Sequence, residues 1–398
     1  LDDTFYQKWR HDYPLPSGEG ESVAYDITSV LFFGVTCPLA EFGEKAKKAN
    51  RRQVNLAVIV SKHDKQPIAH FVYNGCKNSL STVKNLIARL NETGIKPGTV
   101  VMDRGNVSKE NVTEIEGSGW KVICGVPKSS KEVQNIIEDT TVPIDPMTFT
   151  RKSKTDTIYS LKTSGILYGE ERKVTVYVNE NRRVRNRNAL NETLAVIGEE
   201  LDELSEKGKE WSEGRLHKEI KKKVEGYEDY IHTTAKRTRG IPRIGWKFKS
   251  KNIEKANCSP GRYLLLSTDE SLSSKAVVKT YFEKDFVEKV FRTFKTGEKI
   301  EPVRHRLENR VRAYMFVCVL AYRLLAALRF RLAEVKIEGN PCEQTFELLR
   351  SLGRVEHVDV NFGKEVKTYY LNQTDKTKDI LKKIGMKNLL TEETRLTL

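Results

Sequence analysis

The order of apolar and polar residues in the first third of the chain predicts alternating strands and helices. Runs of β-branched and aromatic residues have the character of buried strands, whereas Val83, Leu86, Ile87 and Leu90 recur at helical spacing before Gly94. In chain order the pattern predicts strands at 22–34, 52–62 and 66–75, a helix at 81–94, a strand at 98–103, a helix at 108–119 and a strand at 120–127. This order predicts an α/β layered fold around a mixed sheet.

The pattern changes between residues 128 and 260, which are more polar. This region contains a hairpin-like piece at 172–181, a long charged helical stretch at about 189–226 and a basic segment at 236–251. A core-like strand at 261–270 and an apolar helix at about 307–333 then restore the earlier character. We therefore predict a tail or linker (1–20), a core in two parts (21–127 and 261–335), an insertion (128–260) and a C-terminal region of helix, two strands and helix (336–398).

The most apolar segment, 313–328, raises the question of a membrane span. It is shorter than the ~20 residues that a span needs, and Arg323 interrupts it. We interpret it as a buried core helix. The chain begins at Leu1 rather than at methionine, so we expect a fragment or a processed form.

Composition adds an expectation about the partner. The formal net charge is +15 and the sequence pI is about 9.3. Such an excess favours an anionic partner, nucleic acid first and a membrane surface second, although a merely basic protein stays open. The six cysteines form no Cys-x-x-Cys pair, which favours a reducing compartment without a disulfide framework.

Two aspartates stand at positions that favour chemistry. Asp26 lies inside an apolar strand, where a carboxylate is costly unless it is paired or binds a cation; the alternative is an edge position facing solvent. Asp103 ends the strand "TVVMD" before Arg104 and Gly105, and ligands of open α/β sheets bind at the carboxyl ends of strands. An ordinary turn aspartate is the alternative there.

A third acid belongs to the stretch "YFEKDFVEK", which is predicted to be helical. On an ideal helix Tyr281, Lys284, Glu288 and Lys295 fall within about 60° of one another. This stripe of one aromatic residue, two cations and one carboxylate is unusual for simple packing, although a solvated face with a Lys284–Glu288 pair is the plainer interpretation. Spacing alone does not choose between Glu288 and Asp285.

Together the three acids suggest metal-dependent phosphate chemistry. Carboxylates on two neighbouring strands and on a helix beside them suit two divalent ions, and oxygen ligands favour Mg²⁺ or Mn²⁺ over zinc. Two such ions about 4 Å apart activate a water or a 3′ hydroxyl and stabilise the leaving oxygen at phosphorus. The lysines and the tyrosine of the stripe would hold backbone phosphate.

These motifs resemble the DDE transposases of prokaryotic insertion sequences, in the cut-and-paste group with a Tyr-x2-Arg-x3-Glu-x6-Lys helix. Tyr281, Lys284, Glu288 and Lys295 match that helix, with lysine at 284 in place of the usual arginine. "AYDITSVLFFG" is similar to the first-acid strand and "VMDRGNVSKEN" to the second-acid motif, and the likeness runs from about residue 20 to about 385.

The resemblance implies an α/β protein whose RNase H-like mixed-sheet core is interrupted by a basic α+β insertion and followed by a small C-terminal α+β appendage. It implies catalytic and metal-binding roles for Asp26, Asp103 and Glu288, with two Mg²⁺ or Mn²⁺ ions. It implies nicking of transposon ends and strand transfer of the 3′ hydroxyl into target DNA. Tyr281, Lys284 and Lys295 would hold the DNA end, and a homodimer would pair two ends.

Further DNA contacts are predicted in the basic segment 236–251. Its cations have no acid between them and are interleaved with aromatic residues; the candidates are Arg237, Arg239, Arg243, Trp246 and Lys247. The alternative is a solvated loop whose aromatic residues dock it to the core. "NRRVRNRN" (181–188) is a second basic cluster, and Arg104 is a further candidate for phosphate contact.

Alternatives from other classes stay open. A nuclease or resolvase of the same fold would cut without joining, and a domesticated DNA-binding protein would do neither. A membrane-surface protein is disfavoured, because no basic amphipathic helix with a broad apolar face is seen. We expect double-stranded DNA as the partner, no membrane, and a prokaryotic cytoplasmic protein associated with the nucleoid.

Overall fold

The computed structural model describes residues 1–43, 50–141, 146–151, 154–238, 241–258, 260–297, 299–335, 340–363, 365–391 and 393–396. The chain is a mixed α/β protein with a large mixed sheet, as predicted. It forms two compact units, the first made of Leu1–Thr99 and Lys284–Leu398 and the second of Val100–Glu283. The predicted domain boundaries follow a different division and stay predictions.

The first unit contains both ends of the chain. Its described helices and strands, in chain order, are α1 (Asp2–Asp12), β1 (Glu21–Phe32), β2 (Arg52–Ser61), β3 (Pro67–Asn74), α2 (Val83–Glu92), the start of β4 (Pro97–Met102), α9 (Asp285–Arg292), α10 (Glu308–Glu334), α11 (Pro341–Leu352), β12 (Glu356–Asn361), β13 (Glu365–Leu371), α12 (Asp375–Lys383) and β14 (Glu393–Leu396). Strands β3, β2 and β1 pair in this order and are antiparallel, which confirms the predicted meander.

The core of the first unit lies between this meander and helices α9 and α10. β2 is buried over almost its whole length because both of its faces are covered. Ala24, Val30 and Phe32 of β1 share one cluster with Val287 and Val290 of α9. The apolar periodicity of α9 therefore serves to fix the helix on β1.

Residues 1–20, predicted to be a tail or linker, begin with helix α1, so that prediction is wrong for 2–12. Polar anchors that the apolar pattern does not reveal hold the helix. Arg10 donates hydrogen bonds to Glu21 at 2.8 Å and to Asp64 at 2.5 Å, and both carboxylates have fully buried side chains. Tyr6 also donates to Glu21, at 2.9 Å. Helix α1 is thus fastened to β1 and to the β2–β3 turn.

Helix α10 contains the apolar segment that the sequence analysis assigned to the core. One face contributes Val311, Met315, Val319 and other residues to the core cluster. Arg323 is buried with them, because it is paired with Asp2 at 2.7 Å. By length and composition α10 would also pass as a membrane span, a test that core helices of soluble proteins pass as well.

The second unit holds the other strands of the large sheet. Its described elements after the end of β4 are α3 (Lys109–Gly117), β5 (Lys121–Val126), α4 (Lys131–Asp139), β6 (Pro146–Arg151), β7 (Lys154–Leu167), β8 (Glu170–Asn179), α5 (Glu180–Lys207), α6 (Glu213–Lys223), β9 (Ile231–Thr238), β10 (Ile241–Phe248), α7 (Ser250–Cys258), β11 (Arg262–Ser267) and α8 (Ser274–Glu283). The strand order is β4-β5-β11-β8-β7-β6. Strand β11 is therefore inserted between β5 and β8, antiparallel to both.

Residues 128–260, predicted to be an α+β insertion, contribute β6, β7 and β8 to the large sheet and also contain helices and a separate hairpin. Their status as an insertion stays a prediction. The long charged stretch forms two helices, α5 and α6, and the basic segment forms the antiparallel hairpin β9–β10 rather than a loop. Leu194, Leu201, Leu216 and Ile220 from the two helices form a small core of their own, against which the hairpin packs through Trp246.

The stretch predicted to be one helix with a four-residue stripe is interrupted. Helix α8 ends at Glu283, α9 begins at Asp285, and a π-helical turn follows at Thr293–Gly297. Val277 and Val278 of α8 pack in one apolar cluster, whereas Phe286 and Val287 of α9 pack in another. The break at Lys284 thus lies between two segments that pack in different apolar clusters. The prediction of a continuous helix is wrong.

Candidate functional site

Asp26 lies in the middle of β1, opposite Val58 of β2. The residues just before it, Ala24 and Tyr25, are buried, and Asp26 itself is half-buried. One of its carboxylate oxygens accepts a hydrogen bond from the backbone N–H of Ile27 at 2.8 Å. The strand therefore carries an acid at the margin of an apolar core, rather than on a fully solvated edge.

Glu288 lies on α9, the helix that packs on β1. Phe286, Val287, Val290 and Phe291 form the buried face of α9, and Glu288 is exposed. The sequence-predicted acids Asp26 and Glu288 thus belong to two elements of the same unit that pack against each other.

Lys295 lies in the π-helical turn after α9 and is anchored on β1. Its ammonium group donates to the carbonyl oxygen of Ser29 at 3.0 Å and is 3.8 Å from a carboxylate oxygen of Glu301. Glu301 also accepts from the backbone N–H of Leu31 at 3.3 Å. Lys295, the predicted DNA contact, is thus bound to β1 at Ser29, three residues after Asp26. No sequence pattern singled out Glu301.

Asp103 directly follows β4 in the second unit. Its backbone is extended, and its side chain does not cap the 3-10 turn Arg104–Asn106 that comes next. The carboxylate instead accepts a hydrogen bond from the hydroxyl of Tyr281 on α8, at 3.0 Å. Burial, the charge of Asp103 and that of Tyr177 all raise the pKa of Tyr281, so the phenol stays a proton donor to the carboxylate.

Gly125 provides the space for this hydrogen bond. It lies in β5, and a Cβ atom at its position would come 2.6 Å from the hydroxyl oxygen of Tyr281 and 3.2 Å from Cζ. A side chain at residue 125 is therefore incompatible with the observed position of the phenol. No sequence pattern marks this glycine, because the close approach comes from a helix 156 residues further along the chain.

A second group of polar residues lies beside Asp103, at the same end of the sheet. Lys128 follows β5, Arg182 lies in the first turn of α5 after β8, and both contact the ring of Tyr263 on β11. Arg104 is exposed, and burial together with the charge of Arg104 lowers the pKa of Lys128. Sequence reasoning noted Arg182 within a basic cluster but missed Lys128 and Tyr263.

The predicted contacts in the basic segment are only partly within the described residues. Arg239 lies outside them, as do the side chains of Arg237 and Arg243, whose backbones belong to β9 and β10. Lys247 is exposed. Trp246 is half-buried, donates its indole N–H to Asp202 at 2.8 Å and lies against Gly198 of α5. Its packing agrees with the docking alternative raised from the sequence.

The acids of the candidate site are the residue type that Mg²⁺ and Mn²⁺ prefer, since carboxylates supply hard oxygen ligands. The hydrogen bond from Tyr281 to Asp103 is the kind of outer contact that orients metal-bound carboxylates. Within the described ranges, however, no group of three or more histidine, cysteine, aspartate or glutamate side chains is close enough together to hold a metal ion.

Comparison with models of known protein families identifies one family that matches this chain. The model of the transposase DDE domain family matches residues 23–324, a segment that contains Asp26, Asp103 and Glu288. A search of curated proteins finds no match.

Among solved structures, one similar chain comes from the cryo-EM structure of a piggyBac transposase synaptic complex with hairpin DNA. The two sequences are 10% identical, the TM-score is 0.41, and the match covers 84% of this chain and 52% of that chain. The protein thus spans about half the length of that structure.

Proposed function

The chain belongs to the transposase DDE domain family, and on this premise we propose that it is a DNA transposase that cuts transposon ends and joins them to target DNA. The family match over residues 23–324 is the observation that carries the proposal. The finer assignment, to the cut-and-paste group of prokaryotic insertion sequences, is part of the proposal and rests on the residues Tyr281, Lys284, Glu288 and Lys295.

In the proposed reaction water attacks a phosphorus atom at the transposon end. The bond from phosphorus to the 3′ oxygen breaks, and a 3′ hydroxyl is released. That hydroxyl then attacks a target phosphodiester, forms a new phosphorus–oxygen bond and releases the 3′ oxygen of the target strand. The number of phosphodiester bonds is unchanged in this second step, so no external energy source is needed.

We assign the metal-binding role to Asp26, Asp103 and Glu288. Divalent ions bound there would lower the pKa of the attacking water or hydroxyl and stabilise the leaving oxygen. Support comes from the oxygen-only character of the three side chains and from the hydrogen bond that orients Asp103. The ions are Mg²⁺ or Mn²⁺, and two of them per site are proposed.

The chain's other residues would bind and orient the DNA. Lys295 is held on β1 near Asp26, and its charge can face a phosphate close to that acid. Lys284 supplies a point charge rather than the bidentate fork of an arginine. Tyr281 is proposed to act mainly on Asp103, and through it on the reacting phosphate, because its hydroxyl already donates there.

The proposal includes double-stranded DNA as substrate and target, two copies of the chain on paired ends, and action in a prokaryotic cytoplasm at the nucleoid. The contacts assigned to Arg104, Arg237, Arg239, Arg243, Trp246 and Lys247 are part of it. A DNA-binding protein without catalysis is the second candidate. Its support is the net charge of +15, which DNA binding without catalysis would also explain.

The test is cleavage and strand transfer on labelled duplexes taken from both sides of the protein's own reading frame, with Mg²⁺ or Mn²⁺. We expect the wild type to nick and join, and Glu288→Gln to bind DNA without doing either. Asp285→Asn is the matched control, since it removes a neighbouring acid of the same helix, and it should stay active.

Each other outcome selects an alternative. Nicking without joining supports a nuclease of the same fold. A Glu288→Gln variant as active as the wild type refutes the catalytic assignment. DNA binding without chemistry in either ion supports the non-catalytic candidate.

A further inference from the structure

We propose that Lys128 and Arg182, both set against the ring of Tyr263, form a subsite that binds a DNA backbone phosphate beside Asp103. The inference rests on the proposed function, because it takes DNA as the ligand. It assigns a role to two residues, Lys128 and Tyr263, that no sequence motif marks.

The strand order brings these residues together. Val126, the last residue of β5, pairs with Leu264 of β11, and Tyr263 pairs with Tyr177 of β8. Lys128 follows the end of β5, and Arg182 follows the end of β8. Because β11 lies between β5 and β8, residues leaving both neighbouring strands meet at Tyr263.

Tyr263 holds both cations. The ammonium nitrogen of Lys128 lies 4.6 Å from the centroid of its ring, and Arg182 donates to its hydroxyl oxygen at 3.3 Å. The ring is itself stacked on Tyr177, with centroids 5.1 Å apart and an interplanar angle of 24°. Two long side chains are therefore ordered before any ligand arrives, which lowers the entropic cost of binding.

The charges around this pair favour an anion. Burial and the charge of Arg104 lower the pKa of Lys128, so the charged form of this lysine is disfavoured without an anion nearby. Arg182 lies in the first turn of α5, and its hydrogen bond to Tyr263 raises its pKa, so the guanidinium keeps its charge. A phosphate between these cations would stabilise the charged form of Lys128 and pair with the guanidinium of Arg182.

The pair belongs to the surroundings of the candidate acid. Tyr281, whose hydroxyl donates to Asp103, lies against Gly125 of β5, three residues before Lys128. Tyr281 also shares an apolar cluster with Tyr177, on which Tyr263 is stacked. A phosphate held by Lys128 and Arg182 is thus a neighbour of the phosphate that reacts, and the subsite would fix the register of the strand.

The test is the salt dependence of binding to a short fluorescent DNA duplex of random sequence, since phosphate contacts need no particular sequence. Each lost phosphate contact makes the slope of log affinity against log salt shallower by about 0.9. We expect this change for Lys128→Gln and for Arg182→Gln. Lys121→Gln is the matched control, because it removes an exposed lysine at the opposite end of β5.

Two further measurements distinguish phosphate binding from a role in folding alone. Lys128→Arg keeps the charge and should restore the slope. Tyr263→Phe keeps the ring but removes the acceptor for Arg182, so its effect on affinity should not add to that of Arg182→Gln. Thermal unfolding confirms that each variant is folded.

Unchanged slopes in Lys128→Gln and Arg182→Gln, with a wild type that binds, overturn the subsite and leave the proposed function intact. Additive effects of Tyr263→Phe and Arg182→Gln overturn the positioning role of Tyr263. A wild type that neither binds the duplex nor cuts DNA overturns both the subsite and the proposed function.

Discussion

The hydroxyl of Tyr281 donates a hydrogen bond to the carboxylate of Asp103 across 3.0 Å. The two residues are 178 positions apart in the chain, and the sequence assigned the tyrosine to DNA and the aspartate to metal. This contact is the basis for proposing the tyrosine as a positioning residue for the acid. It also links α8 to the end of β4 within the second unit.

Tyr281→Phe is the direct test of this relationship. A hydrogen bond to a charged group contributes about 1.5–3 kcal/mol, so we expect the rate of nicking at saturating DNA to fall about tenfold or more. DNA affinity should be unchanged, because the phenol's proton is directed at the carboxylate. Tyr159→Phe, in the same unit, is the control. A loss of affinity at an unchanged rate would instead favour direct contact with DNA.

Gly125→Ala should disturb the same hydrogen bond from the other side. The added methyl group would lie 2.6 Å from the hydroxyl oxygen, so the phenol must move and nicking should slow. In a Tyr281→Phe background the nearest atom is Cζ at 3.2 Å, and the same alanine should cost much less. The double-mutant cycle on nicking rates measures this coupling. Equal costs in both backgrounds would contradict the explanation.

Arg10→Gln should release helix α1. The substitution leaves Glu21 and Asp64 buried without their cation, and breaking a buried pair costs about 3–5 kcal/mol. Urea denaturation measures the loss in free energy of unfolding. Lys8→Gln is the control, since this exposed lysine lies on the same helix. Equal stability of the two variants would show that α1 contributes little.

The same cluster predicts a response to acid. Burial alone would raise the pKa of Asp64, but the hydrogen bond and charge of Arg10 outweigh it and lower the pKa below its usual 3.8. A carboxylate with a lowered pKa stabilises the fold above its unfolded pKa, and this contribution is lost as the pH falls through the folded value. The urea midpoint should therefore decrease as the pH is lowered below about 4. The decrease should be less steep in Arg10→Gln. Parallel curves for the two proteins would exclude Asp64 as the cause.

Trp246→Ala separates packing from DNA contact in the β9–β10 hairpin. The indole is half-buried, so we expect a loss of roughly 2 kcal/mol, about half of the 3–5 kcal/mol for a buried aromatic residue. Thermal unfolding measures the loss, and the salt slope of DNA binding should not change. Lys247→Gln should leave stability unchanged and make the slope shallower by about 0.9. A loss of DNA affinity with an unchanged slope would assign the indole to base stacking instead.

Local patterns in the sequence were enough to locate most helices and strands. Alternation and helical periodicity located β1, β2, β3, α2, β4, α3, β5, β11 and α10 close to their observed bounds, because each depends on its own buried face. The motifs around Asp26, Asp103 and Glu288 led to the transposase family, which the family match confirms. The assignment of those acids to catalysis stays a prediction.

The interruption of the helix and the partners of the polar residues follow from the assembled fold and not from local patterns. The helix expected through Lys284 is interrupted because its two halves pack in different cores, and α1 was missed because charged residues distant in sequence hold it. Tyr281 and Gly125 meet, and Lys128 and Arg182 converge on Tyr263, because strand order places β11 between β5 and β8. Periodicity records which face of an element is buried, but partners separated by more than a hundred residues are set by how the sheet is assembled.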